Sequence, residues 1–226
     1  MIGAYNLKIY KTFNCDCMNC YKSLGEIIYR DNVANVKTIV KDSTDAKGRL
    51  NALKMQRAMF PEVDADVFLS HSSSDVALAK LIAGRIQAET NQRVFIDSAF
   101  WGSMYELEYE INDIYSRIGE DLFSYQKCLH VASNTRMLLA TALSRMVEKT
   151  PYFVFLNTRN ALLKYNTTSP WIYYEIFTAN QFLPKIKKAG VRLDEQHMVS
   201  FIYDLEKHIQ NFNVIDIEGL INVMRK

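Results

Sequence analysis

Residues 169–176 read Ser-Pro-Trp-Ile-Tyr-Tyr-Glu-Ile and combine a helix start with a carboxylate and a large aromatic side chain. Ser169 suits the N-cap position of a helix, because its hydroxyl can accept a hydrogen bond from a first-turn amide. Pro170 suits the first helical position, since it has no N–H to leave unbonded. A helix beginning here places Trp171 and Glu175 four residues apart on one face. That pair suits a planar, cationic substrate. In a W-x-x-x-E pair alone, however, the Glu is more often a solvated residue near the helix start and the Trp a packing residue.

Two apolar runs upstream predict the elements that position these groups. Residues 67–70 and 94–97 each have the continuous apolar character of a strand buried on both faces. Residues 78–86 between them carry apolar side chains at helical spacing. A strand–helix–strand unit of this length predicts a parallel sheet with a right-handed crossover.

The polar residues that follow these strands are further candidates for a binding site. Ligands of such sheets bind beyond the C-terminal ends of the strands. Ser70 ends the first strand, His71 follows it, and Asp97 ends the second. We expect these side chains at the functional edge, together with a loop formed by residues 98–103.

Further strands are expected over residues 152–156 and 198–203. The N-terminal region is harder to interpret, because residues 24–30 and 33–40 have strand-like composition without clean alternation. We therefore expect two parts, divided as an N-terminal extension over residues 1–60 and a domain over residues 61–226 with an insertion around residues 104–133.

Composition excludes several functional classes. The chain has 226 residues, of which 49% are hydrophobic, and a formal net charge of +2 at pH 7. This near-neutral balance argues against a protein that binds nucleic acid through the phosphate backbone. Residues 1–6 lack the features of a signal peptide, and no apolar run approaches the length of a membrane span. The sequence therefore predicts a cytoplasmic protein with neither nucleic acid nor membrane as a partner.

Three of the four cysteines lie close together, at Cys15, Cys17 and Cys20, with Cys128 far along the chain. Thiols at this spacing are candidate zinc ligands, but a structural zinc site needs a fourth ligand, and none follows at the usual spacing. We expect free, reduced thiols and no metal site.

Four segments in order give a resemblance to a Toll/interleukin-1 receptor (TIR) domain of the bacterial type: residues 66–75, 94–102, 155–158 and 169–175. The resemblance covers about residues 64–205. It implies an α/β fold in which a flavodoxin-like parallel sheet is flanked by helices.

Enzymatic TIR domains cleave the nicotinamide–ribose bond of NAD+. In the motif that this chain resembles, the essential Glu matches Glu175 and the preceding Trp matches Trp171. The resemblance thus implies that Glu175 is catalytic, with NAD+ as the substrate and no other cofactor. The residues implied in substrate binding are Phe68, Ser70, His71, Asp97, Trp101, Trp171 and Tyr174.

The chemistry agrees with these residue types. Loss of nicotinamide leaves an oxocarbenium-like ribose, whose positive charge a nearby carboxylate stabilises. Nicotinamide departs neutral, so one carboxylate suffices. The product is ADP-ribose or a cyclic form of it. In some bacterial members, including those of Thoeris-like antiphage systems, such a product is a nucleotide signal. The resemblance therefore implies a separate effector protein that the product activates. Self-association is a further expectation, because a loop such as residues 98–103 could complete the site of a neighbouring copy.

Two alternatives stay open. The first is a non-catalytic interaction module of the same fold, because fold does not establish function. The second is an enzyme similar to nucleoside 2-deoxyribosyltransferases, which would need a second catalytic group. Geometry separates the first alternative from the enzyme: the Glu175 carboxylate should open into a pocket with Ser70, His71 and Asp97, and not point into bulk solvent.

Overall fold

A computed structural model describes residues 1–9, 17–30, 36–183 and 201–225, apart from the side chains of residues 101 and 102. The chain divides into two units. The first comprises Met1–Ile28, Asp64–Ile96 and Val147–Lys226, and the second comprises Tyr29–Val63 and Asp97–Met146.

A five-stranded parallel sheet forms the centre of the first unit. The strands of the chain are β1 (Gly3–Lys8), β2 (Val67–Ser70), β3 (Val94–Ile96), β4 (Tyr152–Asn157), β5 (Asn166–Thr167), β6 (Tyr203–Asp204) and β7 (Asn213–Ile215). The large sheet has the order β3-β2-β4-β1-β7, and β5 pairs with β6 in a separate antiparallel ladder. The predicted α/β fold, a parallel sheet flanked by helices and consistent with a flavodoxin-like arrangement, is confirmed.

Apolar packing explains why β2, β3 and β4 form the centre of this sheet. All four residues of β2 and the four inner residues of β4 are buried. The Phe68 ring stacks on Phe153 at 5.4 Å between centroids and lies 5.3 Å from the ring of Phe95. Strands covered on both faces need this near-continuous apolar character.

Five helices belong wholly or mainly to the first unit: α1 (Met18–Arg30), α4 (Val76–Thr90), α7 (Pro170–Phe182), α8 (Glu206–Ile209) and α9 (Ile217–Met224). Helix α4 packs on β3 and α9, and it ends at Asn91 in the left-handed conformation, with φ 58°. Helix α1 crosses α4 closely at Gly84. A Cβ added at Gly84 would lie only 2.0 Å from the carbonyl oxygen of Tyr21. Backbone therefore meets backbone at this crossing.

The described part of the second unit is helical, with α2 (Val36–Ser43), α3 (Ala52–Met59), α5 (Ser98–Tyr115) and most of α6 (Tyr125–Lys149). Asn51 caps α3 by accepting a hydrogen bond from the Lys54 amide at 2.9 Å. Helix α2 packs on both α3 and α5. The Gln56 amide donates to the Leu138 carbonyl at 2.9 Å and so ties α3 to α6.

One local prediction is wrong, and two segments that the sequence left open are helical. Residues 98–103 are the first turns of α5 and not a loop. Residues 24–30 are helical, and so are residues 36–40, while residues 33–35 lie outside the described part of the chain. These short segments bury only one face, which is sufficient for an amphipathic helix.

The fourth position of the sheet is filled by the N-terminal strand. Gly3–Lys8 pairs with β4 along its whole length, from Gly3↔Tyr152 to Lys8↔Asn157, so the expected N-terminal extension contains a strand of the sheet. Of the strand expected over residues 198–203, residues 198–200 lie outside the described residues, and Tyr203 pairs with Thr167 in the small ladder. None of the helices in the described ranges combines the length and the apolar character needed to cross a bilayer.

Candidate active site

Helix α7 begins where the sequence predicts and carries a buried carboxylate into the first unit. The Ser169 hydroxyl accepts a hydrogen bond from the Ile172 amide at 3.3 Å, and Pro170 occupies the first turn. Glu175 has no exposed surface and shares the buried face of α7 with Ile172 and Ile176. The sequence places Glu175 on one helix face with Trp171, and in the structure Glu175 is buried while Trp171 is half-buried.

The Glu175 carboxylate is held by the last residue of β2. The hydroxyl of Ser70 donates a hydrogen bond to Oε2 of Glu175 at 2.7 Å, and both side chains are fully buried. Removing a carboxylate from water is costly unless hydrogen bonds replace the lost solvation. A buried carboxylate anchored at the end of a strand is therefore an unusual feature and a candidate for function.

His71 follows Ser70 directly and is also fully buried. Burial lowers the pKa of His71 to about 4, against the opposing influence of the Glu175 carboxylate, the Leu69 backbone and Asp75. His71 is therefore neutral at pH 7. It contributes no positive charge beside Glu175.

A second carboxylate, Asp75, is fixed in the turn after β2. It accepts hydrogen bonds from the Thr158 hydroxyl and from the Asn160 amide, the latter at 2.8 Å. Both donors lie in the loop after β4, so Asp75 joins the C-terminal ends of two neighbouring strands. Sequence reasoning gave Thr158 and Asn160 no role, and the signal that could have identified them was the polar stretch directly after the apolar run of β4.

The position of these groups in the sheet is the one where open α/β sheets bind ligands. The chain passes from β2 outward to β3 and then returns to β4 on the other side of β2. The carboxyl ends of β2 and β4 therefore flank a topological switch point, the usual ligand crevice of such folds. Ser70 ends β2 at this point, His71 and Asp75 follow it, and Glu175 contacts Ser70 there.

The other predicted site residues differ in where they lie and in how deeply they are buried. Trp171 and Tyr174 on α7 are half-buried. The Phe68 side chain belongs to the aromatic core of the sheet. Asp97 is buried and directly precedes α5 in the second unit, and Trp101 lies within α5, with its side chain outside the described part.

The cysteines form no recognisable metal centre in the described part of the chain. Cys17 and Cys20 are exposed, Cys128 is partly exposed, and Cys15 lies outside the described residues. No group of three or more His, Cys, Asp or Glu side chains in the described ranges is arranged to hold a metal ion.

Comparison of the chain with protein-family models, with curated proteins and with solved structures found no match. Any functional conclusion therefore depends on the residues at the ends of β2 and β4 and on the buried carboxylate of α7.

Proposed function

We propose that this protein is an NAD+-cleaving enzyme of the TIR type, in which Glu175 is the catalytic carboxylate. The observation that carries the proposal is the hydrogen bond from Ser70 to the buried Glu175 at the switch point of the sheet. A carboxylate retained there at an energetic cost suits a reaction in which a positive charge develops on the ribose of the substrate.

The reaction is cleavage of the bond between ribose C1′ and the nicotinamide ring nitrogen. Both electrons of that bond move to the nitrogen, so nicotinamide leaves neutral and the ribose becomes an oxocarbenium-like cation. The Glu175 carboxylate stabilises this cation by its charge. Attack by water then gives ADP-ribose with release of a proton, whereas attack by the adenine of the same molecule gives a cyclic product.

The electrostatic environment of Glu175 supports this role. A protonated histidine beside the carboxylate would disfavour a developing cation, but the low pKa of His71 keeps its ring neutral at pH 7. Ser70 occupies one carboxylate oxygen and thereby fixes the rotation of the carboxylate group. Ser70 and His71 are therefore proposed as positioning residues, and the half-buried Trp171 and Tyr174 as surfaces for a base of NAD+.

Access to Glu175 is the condition that this proposal must meet. Because Glu175 has no exposed surface, NAD+ reaches it only after the segments that cover it move. Such a requirement agrees with an enzyme that is silent until a trigger opens the site. We therefore extend the proposal to a cytoplasmic signalling role in antiphage defence, with self-association or a separate effector protein downstream.

The test is NAD+ consumption by the wild-type protein and by Glu175→Gln, with products separated by liquid chromatography and mass spectrometry. Glu175→Gln preserves the shape of the side chain but removes its charge, and we expect a rate loss of about 10²–10³-fold. Glu148→Gln is the matched control, because Glu148 is an exposed residue at the end of α6. Equal NAD+ consumption by all three proteins would overturn the assignment of Glu175.

One observation favours a second candidate function, that of a non-catalytic interaction module. Glu175 is hydrogen-bonded internally and is closed to solvent, as expected of a structural carboxylate. On this alternative none of the proteins consumes NAD+, either alone or after addition of lysate from phage-infected cells. Glu175-dependent turnover that appears only with the lysate would instead support the triggered enzyme.

A further inference from the structure

The second unit contains a hollow that is lined mainly by apolar side chains, unlike the polar cluster of the first unit. Its volume is about 320 Å³, and it lies among α3, α5, α6 and the loop before α3. The apolar part of its lining comes from Leu50, Met55, Ile111, Val131 and Leu138. Small-molecule sites typically begin at about 300 Å³ and are mainly apolar with a few placed polar groups.

Two polar side chains that line this hollow, Thr135 and Tyr115, already have hydrogen-bond partners within the protein. The Thr135 hydroxyl donates to Glu108 at 2.9 Å and also lies within bonding distance of the Val131 carbonyl. The Tyr115 hydroxyl lies 3.4 Å from the Thr44 hydroxyl. Water in the hollow therefore lies mainly against apolar surface. An apolar ligand that displaces this water would bind favourably through the hydrophobic effect.

One edge of the hollow carries polar groups that remain open to a ligand. His130 and Asn134 lie one turn apart on the exposed side of α6, and the Asn134 amide nitrogen donates to the His130 carbonyl at 2.7 Å. The His130 ring and the Asn134 side-chain oxygen hydrogen-bond to no residue in the described ranges. These two groups can meet a single polar substituent.

The loop before α3, which also lines the hollow, is held in a fixed shape. Asp45 accepts hydrogen bonds from the Lys47 and Arg49 amides, each at 2.9 Å, and Thr44 and Leu50 form an antiparallel bridge. A wall ordered in advance lowers the entropic cost of binding.

We propose that this hollow is a binding site for an uncharged, largely apolar small molecule with one hydrogen-bonding group. The charge preference follows from the lining, because none of the eleven described residues that form it is Asp, Glu, Lys or Arg. A charged ligand would lose its hydration there without gaining a partner. The site belongs to the second unit and does not depend on the function proposed for Glu175.

The test uses two fluorescent probes that share one ring system, neutral N-phenyl-1-naphthylamine and its sulfonate, 8-anilino-1-naphthalenesulfonate. We expect the neutral probe to bind with one site per chain and at least about 10-fold more tightly than the sulfonate, since a buried unpaired charge costs more than 1.4 kcal/mol. Equal or tighter binding of the sulfonate, or no saturable binding of the neutral probe, would overturn the proposal.

Paired tryptophan variants locate the probe. Ala52 is exposed and lines the hollow, so Ala52→Trp should fill it and weaken the neutral probe at least about 10-fold, whereas Ala58→Trp on the exposed side of the same helix should not. Asn134→Trp and Ser133→Trp form a second pair on α6, in case the first pair perturbs folding, which circular dichroism would show. Equal binding by the two members of a folded pair would place the probe elsewhere and refute the site.

Discussion

The crossing of α1 and α4 in the first unit and the space among α3, α5 and α6 in the second differ in how closely the helices approach one another. In the first unit, backbone meets backbone where α1 crosses α4, and buried polar groups such as Ser70 and Glu175 bond to each other. In the second unit, α3, α5 and α6 leave an apolar hollow of about 320 Å³. A close-packed interior resists any added atom, whereas a hollow accepts one.

This difference suggests where each unit can be altered. The first unit has polar groups whose burial costs free energy, and they are kept where a sheet of this type binds ligands. The second unit has a hollow whose lining is largely apolar. A substitution that adds volume should therefore be costly at the crossing of α1 and α4 and mild at an uncrowded position of the second unit.

The largest expected effect is that of one methyl group at the crossing of α1 and α4. A Cβ at Gly84 would lie 2.0 Å from the Tyr21 carbonyl oxygen, so one helix must move. We expect Gly84→Ala to lower the free energy of unfolding by about 3 kcal/mol or more, measured by urea denaturation.

Gly119 supplies the control for this prediction in the second unit. A Cβ at Gly119 would lie 3.4 Å from the Leu122 Cβ, which is ordinary van der Waals contact. Gly119→Ala should change the stability by less than about 1 kcal/mol. If Gly84→Ala is as mild as Gly119→Ala, the helices are not packed as closely as the contrast requires.

The next effect is a pH dependence that arises from His71. Its pKa is about 4 in the folded protein and about 6.5 when unfolded, so between these values the unfolded chain binds more protons. The free energy of unfolding should therefore fall by up to about 3 kcal/mol as the pH drops from 6.5 to 4. His71→Gln cannot titrate, so its stability should depend less on pH over this window.

His208 tests whether this slope is specific to His71. Burial also lowers the pKa of His208, but its side chain is only half-buried. His208→Gln should therefore remove less of the slope than His71→Gln. An unchanged slope in His71→Gln would show that His71 is not buried as a neutral ring.

The strands β2, β3 and β4 were predictable because a strand buried on both faces leaves a continuous apolar run. Strand β1 escaped prediction because Asn6 interrupts its apolar character. Asn6 is buried, and its side-chain oxygen accepts a hydrogen bond from Asn157 at 2.9 Å. That partner lies 151 residues away and is visible only in the folded chain.

The site was predictable to a similar degree. Chain order places Ser70 and His71 at the end of a strand, and the Ser169 cap correctly starts the helix that carries Glu175. Local spacing does not reveal that Glu175 is fully buried, since this depends on the packing of α7. The bonds from Thr158 and Asn160 to Asp75 likewise depend on the adjacency of β2 and β4.

A smaller effect is expected from the Ser70–Glu175 hydrogen bond. Ser70→Ala removes a donor from a buried carboxylate and should cost about 2 kcal/mol at pH 7. In the background of Glu175→Gln, which carries no charge, the same change should cost clearly less. Urea denaturation of the two single variants and the double variant measures this coupling, and strictly additive costs would mean that Ser70 does not stabilise the charged group.

The smallest effect concerns the ion pair beside the α1–α4 crossing. The Lys80 ammonium lies 2.8 Å from the Glu26 carboxylate, but the Glu26 side chain is 56% exposed. Exposed pairs contribute little, because solvent screens the charges and both side chains lose freedom. Glu26→Gln should therefore cost less than about 1 kcal/mol in urea denaturation, and the difference from wild type should shrink further in 1 M salt. If Glu26→Gln proved as costly as Gly84→Ala, charge and not backbone contact would hold α1 on α4, and the contrast between this close crossing and the hollow of the second unit would lose its main support.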